Sequence, residues 1–155
     1  MKRITFLFIF LAAFTLSLTA QSQIITREEA DELFGPPIQS INFHSTVLEA
    51  LLDTHEYIMF RIKGNKVNIF GRQRAPILQQ FPTNENDVYY VFEAKTLTKL
   101  LELGGEDESY IELRAGAEGL TKDTQLTDGD GDKTVTVSNG NSTAVLPFPC
   151  PPVCF

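Results

Sequence analysis

The sequence lacks tryptophan and has only two cysteines and two histidines. Basic residues are also few, since 13 Lys+Arg face 20 Asp+Glu and the formal net charge is −7 at pH 7. This balance argues against nucleic acid as a partner, because nucleic-acid binders need basic surfaces. The 155 residues are 43% hydrophobic and 21% charged, which is typical of one ordinary globular domain and excludes a polytopic membrane protein.

The first 22 residues have the plan of a secretory signal peptide. Lys2 and Arg3 form a short positive region, and an apolar stretch of about 15 residues follows. That stretch is shorter than the roughly 20 residues that a membrane-spanning helix needs. Cleavage is predicted after Ala20 or after Ser22, and the sequence favours neither. The mature chain would lose both basic residues and have a net charge of 11 minus 20, or −9. We expect it in the periplasm or outside the cell, without a membrane span.

Three short helices are predicted from capping signals and apolar spacing. Thr26 and Glu29 have the spacing of a capping box, and Gly35 with the two prolines after it ends this first helix. Apolar residues recur on one face between Val47 and His55, which predicts a second helix. Leucines at 97, 100 and 101 mark a third, closed by two glycines.

A β-hairpin is the strongest structural signal in the chain. Two alternating runs between Tyr57 and Arg72 are joined by Gly64-Asn65, a dipeptide that suits the tight primed turns of hairpins. The turn fixes the expected register: Lys63 opposite Lys66, Ile62 opposite Val67, and Phe60 opposite Ile69. The apolar side chains are expected to face the core. The opposite face is expected to carry Arg61, Lys63, Lys66, Asn68 and Arg72.

These signals, with further strands at 88–92 and 110–114, predict an α+β fold. We expect a single small domain at residues 23–116, with a mainly antiparallel four-stranded sheet and two to three short helices. After Gly116 the composition shifts to Thr, Asp, Gly, Ser and Asn, which predicts an extended or partly disordered acidic tail at 117–155. A small edge hairpin turning at Asn139-Gly140 is the ordered alternative for part of this tail.

Motifs of the common catalytic families are missing from the sequence. Neither His44 nor His55 lies in a metalloprotease motif, and no serine lies in a Gly-x-Ser-x-Gly elbow. This pattern favours a non-catalytic protein. A hydrolase built from two carboxylates stays possible, because such pairs have no fixed spacing in sequence.

Asp128, Asp130 and Asp132 alternate with glycines, as oxygen ligands do in calcium loops. Counting from Asp128, however, Lys133 stands where a hand-type loop needs glycine, and Asn139 stands where it needs a bidentate glutamate. The run therefore predicts either a looser calcium turn of weak affinity or a solvated acidic linker.

Cys150 and Cys154 are the two cysteines of this exported chain, so a disulfide between them is the first expectation. Two thiolates flanking prolines can instead hold a soft ion such as Cu(I). The run Cys-Pro-Pro-Val-Cys resembles the copper-site motif of the Sco copper chaperones. The resemblance covers these five residues alone, and the chaperones carry the motif early in a thioredoxin-like domain with a distant histidine ligand, so the family is not assigned. The chemistry of the two cysteines, with the Asp-Gly-Asp-Gly-Asp run, gives the alternative function of a metal-handling or redox protein.

Charge is segregated along the chain. Between Tyr57 and Asn84 there are five basic residues and no acid, whereas residues 102–132 contain ten acids and two bases. The basic residues are Arg61, Lys63, Lys66, Arg72 and Arg74. With Tyr57, Met59 and Phe70 expected on the same outer face, they predict a binding surface for an anionic glycan, a phosphate group or an acidic envelope protein. The alternative is a solvated strand face that complements the chain's own acidic residues.

Overall fold

The computed structural model describes residues 22–84, 87–115 and 133–145, and the main chain of 148–150. These residues form three α-helices, one 3₁₀ turn and ten strands. The helices are α1 Arg27–Phe34, α2 Ser45–Leu52 and α3 Ala94–Gly104, and the 3₁₀ turn is Arg72–Arg74. The strands are β1 Gln23–Thr26, β2 Gln39–His44, β3 Tyr57–Lys63, β4 Lys66–Phe70, β5 Pro76–Gln79, β6 Tyr89–Glu93, β7 Glu108–Ala115, β8 Lys133–Asn139, β9 Ser142–Val145 and β10 Phe148–Cys150.

The strands form two five-stranded sheets in which every neighbouring pair is antiparallel. Sheet A has the order β1-β9-β8-β7-β2, and sheet B has the order β10-β6-β3-β4-β5. Within the described residues, no helix is long and apolar enough to span a bilayer.

The main core lies where the two sheets and two helices meet. Alternation along β3 and β4 turns Ile58, Phe60, Val67 and Ile69 to one face, as a period of two requires. Sheet A and the helices complete this cluster with Leu48, Phe92, Leu97, Leu100, Ile111, Val135, Val137 and Ala144. Helix α3 contacts β8 and β9 of sheet A and β6 of sheet B, so it joins the two sheets.

Helix α1 covers the other face of sheet A. Ala30 and Phe34 are buried against Val145 of β9. The capping box is present: the Thr26 hydroxyl accepts from the Glu29 amide at 3.2 Å, and the Thr26 amide donates to the Glu29 carboxylate at 2.8 Å. The helix stops at Gly35, whose φ of +73° suits glycine.

The predicted α+β class, the antiparallel pairing and the hairpin register are confirmed. Lys63 pairs with Lys66, Ile62 with Val67, and Phe60 with Ile69. The second helix spans Ser45–Leu52 rather than 47–55, because His44 provides its N-cap.

The structure contains more sheet than the single four-stranded one that was expected. Three of the strands, β8, β9 and β10, come from the segment predicted as a tail. The hairpin expected as the ordered alternative is present as β8 and β9, and it lies between β7 and β1 rather than at an edge. Its polar composition concealed it, because Thr136, Ser138 and Thr143 are buried on the polar face of sheet A. The boundary placed at residue 116 on composition falls between β7 and β8, which pair along seven residues of β7.

Candidate functional site

The tip of the β3–β4 hairpin presents two unbalanced positive charges. Gly64 has φ +59° and begins the turn, and Lys63 and Lys66 face each other across it. Both lysines are exposed. Neither forms an ion pair with any side chain in the part of the chain that the structure describes. We call these two lysines and the turn between them the lysine tip.

Two of the other predicted site residues contribute to internal structure. Arg61 makes a 2.7 Å ion pair with Asp87, and its side chain is 15% exposed. Arg74 lies over the ring of Tyr89 with its guanidinium carbon 4.8 Å from the centroid, and it donates to the Asp87 carbonyl at 3.4 Å. Arg61 and Arg74 therefore both contact Asp87, just before β6. The sequence did not predict this contact, because the three residues are far apart along the chain.

Burial changes the chemistry of this second cluster. Tyr89 is 2% exposed, and burial raises the pKa of its phenol, with a further rise from the Asp87 carboxylate. A hydrogen bond with the Thr83 side chain acts in the opposite direction. The phenol is therefore neutral at physiological pH and serves as a packing and hydrogen-bonding group.

Arg72 is exposed but lies at the opposite end of β4 from the lysine tip. Six residues of extended chain separate it from Lys66, which is up to about 20 Å. Beside it, Gln73 and Arg74 have φ values of +55° and +56°. Non-glycine residues rarely adopt this region, so the turn is locally strained. The five basic residues thus form three separate groups rather than one continuous surface.

Of the three apolar residues of the predicted surface, Tyr57 is partly buried, and Met59 and Phe70 are not available to solvent. Met59 is 0% exposed and Phe70 is 4% exposed, and they pack with Tyr89 and Val91. Asn68 was also expected on a solvated face, yet it is 0% exposed. Its side chain accepts from the amides of Gln80 and Phe81 and donates to the Phe81 carbonyl, so this segment covers the sheet.

A buried ionic network lies on the polar face of sheet A, and sequence reasoning missed it. Glu112 and Arg114 are both 0% exposed and pair at 2.7 Å. Arg27 of α1 approaches the other oxygen of Glu112 at 2.6 Å, and Asp31 of α1 pairs with Arg114. Ser138 donates to Glu112 at 2.8 Å. Every charge in the network has an opposite charge beside it, which identifies it as the polar attachment of α1 to the sheet.

A groove of about 310 Å³ opens beside this network. Its lining includes Arg27, Tyr110 and the three consecutive acids at 106–108. Arg27 lies 5.4 Å from the centroid of the Tyr110 ring. The Tyr110 hydroxyl donates to Glu108 at 2.9 Å, and this hydrogen bond raises the pKa of the phenol. Arg27, Tyr110 and Glu108 in the lining of the groove are therefore paired with one another.

The remaining predicted site residues have structural roles or lie outside the described residues. His44 caps α2, and its ring nitrogen is 2.8 Å from the Thr46 hydroxyl. Cys150 lies in β10, and its main chain is opposite Tyr89 of β6. Asp128, Asp130, Asp132 and Cys154 lie outside the described residues, so the calcium, copper and disulfide hypotheses stay predictions. Among the residues described, no three His, Cys, Asp or Glu side chains are placed to hold a metal ion.

Fold and site together define an α+β protein with two antiparallel sheets and a basic hairpin tip. Comparisons with protein-family models, curated proteins and solved structures found no match to this chain.

Proposed function

We propose that the protein is an exported, non-catalytic binding or accessory protein of the cell envelope. We further propose that it contacts an anionic glycan or an acidic envelope protein through the lysine tip. The observation that carries this proposal is the pairing of Lys63 with Lys66, both exposed, on a chain whose net charge is −7.

The arrangement is unfavourable for the isolated protein. Like charges directly opposite each other on two strands destabilise the pair. An anionic group placed between the two ammonium groups would relieve this repulsion. It would also make charge-assisted hydrogen bonds, which are stronger than neutral ones. Arg61 is balanced by Asp87, and Arg72 lies at the opposite end of β4, so Lys63 and Lys66 are the two exposed predicted charges that lie side by side.

Export rests on the amino-terminal pattern. The positive residues Lys2 and Arg3, the short apolar stretch and the small residues before Ser22 match a cleaved signal peptide. An extracellular or periplasmic location places the tip among glycans and envelope proteins, many of which carry carboxylate, phosphate or sulfate groups.

The binding test uses the mature chain with two defined polyanions, a heparin-derived oligosaccharide and poly-glutamate. Titrations at low and physiological ionic strength compare the wild type with the K63Q/K66Q variant. We expect the variant to lose most of the affinity and most of the salt dependence, because long-range attraction between exposed charges is screened by salt. Preference for one probe would indicate whether the partner is glycan-like or peptide-like.

The matched control is K95Q/K99Q, which removes the same charge from α3. Lys95 is 73% exposed and pairs with Glu93, and Lys99 is also exposed. This control should bind like the wild type. Equal losses in both variants would mean that the probes sense total charge, and unchanged binding in K63Q/K66Q would refute the lysine tip as the contact.

A further inference from the structure

Strand β2 forms one edge of sheet A. Its residues pair with β7, with Ile41 opposite Ile111 and Asn42 opposite Tyr110, and no described strand pairs with its other side. Just beyond it, the Ser45 amide donates to the Asp107 carbonyl at 2.7 Å. Ser45 and Asp107 continue the register of β2 and β7, so they are a hydrogen-bonded pair. Hydrogen-bonded and non-hydrogen-bonded pairs alternate along antiparallel strands, so the residues of β2 whose main chain bonds to β7 are the odd-numbered ones. The N–H and C=O groups of Ser40 and Asn42 therefore point away from the sheet.

Within its six residues, this edge strand lacks the devices that usually prevent strand pairing. Natural edge strands are protected by charges, prolines, bulges or short length. Strand β2 is six residues long, and its sequence Gln-Ser-Ile-Asn-Phe-His contains no charged residue and no proline. The other described edges differ: β5 begins at Pro76 beside a register shift, β10 contains Pro149, and β1 has four residues.

Apolar surface also collects at the two ends of β2. Among the described residues, four large apolar side chains are clearly exposed, and two of them flank this strand. Ile38, directly before β2, is 54% exposed, and Val47, three residues after it, is 48% exposed. Ile41 and Phe43 within the strand are only partly buried.

We propose that β2 pairs antiparallel with β2 of a second copy of this chain, around a two-fold axis at Ile41. In this register Ser40 of each copy faces Asn42 of the other, and each residue is both donor and acceptor. Ile41 faces Ile41 of the second copy on the core side of the sheet. The two A sheets then form one continuous sheet across the dimer.

A second copy fits this edge because the pairing is complementary to itself. Two acidic molecules repel each other, but β2 brings no charged side chain opposite another. The apolar residue meets its equivalent, and the polar pair Ser40 and Asn42 meets on the other face. The inference is independent of the lysine tip, which lies on sheet B.

The test measures self-association and the main-chain contact together. Sedimentation equilibrium of the mature chain from micromolar to millimolar concentration gives the dimer affinity. Amide hydrogen exchange, read residue by residue by NMR, reports the edge itself. We expect protection of the Ser40 and Asn42 amides to rise with protein concentration. The Ile41 and Phe43 amides, bonded to β7, should be protected at every concentration.

Substitutions at Asn42 separate the main chain from the side chain. N42P removes an outward N–H and leaves the bonds to β7 intact, since proline is tolerated where the N–H of an edge strand faces solvent. We expect it to weaken dimerisation by at least about tenfold. N42A also loses the 3.0 Å bond from the Asn42 side chain to Glu108 but keeps the N–H, so it should dimerise like the wild type.

A second variant guards against misfolding of N42P. N42K places a positive charge at the two-fold contact, and Q79K adds the same charge to the edge strand β5. We expect N42K to weaken the dimer and Q79K to leave it unchanged. A chain that stays monomeric at millimolar concentration would overturn the proposal. So would a dimer insensitive to both N42P and N42K, or edge protection that does not depend on concentration, which would place another segment of the same chain on β2.

Discussion

At the scale of single residues, polar side chains rather than apolar ones distinguish this molecule. Glu112, Arg114, Ser138 and Asn139 are all 0% exposed, and each has more than one hydrogen-bond partner. Burying such groups is tolerated because their partners replace the lost water. Removing one partner of a buried pair should therefore lower the free energy of unfolding by more than removing an exposed ion pair does.

The pair Glu112 and Arg114 makes this measurable. E112A leaves Arg114 buried with less compensation, and R114A does the same to Glu112, so each should lower the free energy of unfolding by about 3–5 kcal/mol. The two residues share one network, so the loss in the double variant should be clearly smaller than the sum. Urea unfolding gives the three values. K95A, which breaks an exposed pair with Glu93, should leave stability nearly unchanged.

Strict additivity of the E112A and R114A losses would contradict a shared network. A loss in K95A as large as in either single variant would equally contradict it, because it would mean that burial does not govern these ion pairs.

Gly104 lies closer to its neighbours than any other described glycine does. An added Cβ would lie 1.9 Å from the Asn139 side-chain oxygen and 2.4 Å from its main-chain oxygen. The Asn139 amide group cannot move away easily, since it donates to Ser45, Ser109 and the carbonyls of residues 106 and 108. We expect G104A to destabilise the fold by roughly 1–3 kcal/mol.

The control for G104A is T98A, at an exposed position of the same helix. Alanine has the higher helix propensity, so T98A should be neutral or slightly stabilising in the same thermal unfolding measurement. If G104A matched T98A, the close approach between α3 and β8 would be absent in solution.

At the scale of single elements, the sequence correctly predicted the features that depend on a few neighbouring residues, namely helix caps and turns. The capping box at Thr26, the glycine exits of α1 and α3, and the register set by Gly64-Asn65 are all present. Strand pairing over long distances was not accessible, because alternation shows that a strand has two faces but not which strand lies beside it. The strand β8 was predicted as part of a tail because its composition is polar, although Thr136 and Ser138 are buried.

The capping box of α1 yields a prediction about both stability and titration. T26A should cost about 1 kcal/mol, a typical value for a lost N-cap. The hydrogen bonds with Thr26 hold the pKa of Glu29 below its ordinary 4.5. A lowered pKa means that the carboxylate supports the fold above pH 4.5 and that this support fades as the pH falls through the lowered value.

NMR titration of the Glu29 side chain checks this assignment. In T26A the pKa should move up toward the ordinary value, because the hydroxyl bond is lost. An unchanged pKa in T26A would show that this hydroxyl does not influence the carboxylate. E28Q, one residue away in the first turn, serves as the control and should leave the Thr26 to Glu29 contacts intact.

At the scale of the whole molecule, strands β8 and β9 complete sheet A and part of the main core. Strand β9 is the only described partner of β1, and β8 separates β7 from β9. Val135, Val137 and Ala144 supply part of the main core. Removal of these strands would expose that core and remove the one described strand that pairs with β1.

A chain ending at residue 116 therefore should not fold cooperatively. Circular dichroism and thermal unfolding of residues 23–116 should show no sharp transition, whereas residues 23–155 should show one. A cooperative transition in the short chain would instead support an independent domain with the boundary that composition predicts.

The candidate site shows the same division between what the sequence predicts and what folding decides. The excess of basic residues from 57 to 84 was evident from composition, and the Lys63–Lys66 pairing followed from the turn. The ion pair between Asp87 and Arg61 was not evident from the sequence. Asp87 lies outside the acid-free segment, just before β6, and the pairing of β6 with β3 brings it close to Arg61. Tertiary contacts thus reduce five candidate residues to a smaller exposed tip.

Mapping the bound anion onto the chain tests whether the lysine tip is the binding surface. A heparin-derived oligosaccharide is titrated into isotopically labelled protein while backbone amide shifts are followed by NMR. We predict that the shifted amides cluster at 61–68 around the lysine tip and that the shifts vanish in K63Q/K66Q. Shifts that cluster elsewhere, or that persist in K63Q/K66Q, would contradict the proposed binding function of the hairpin.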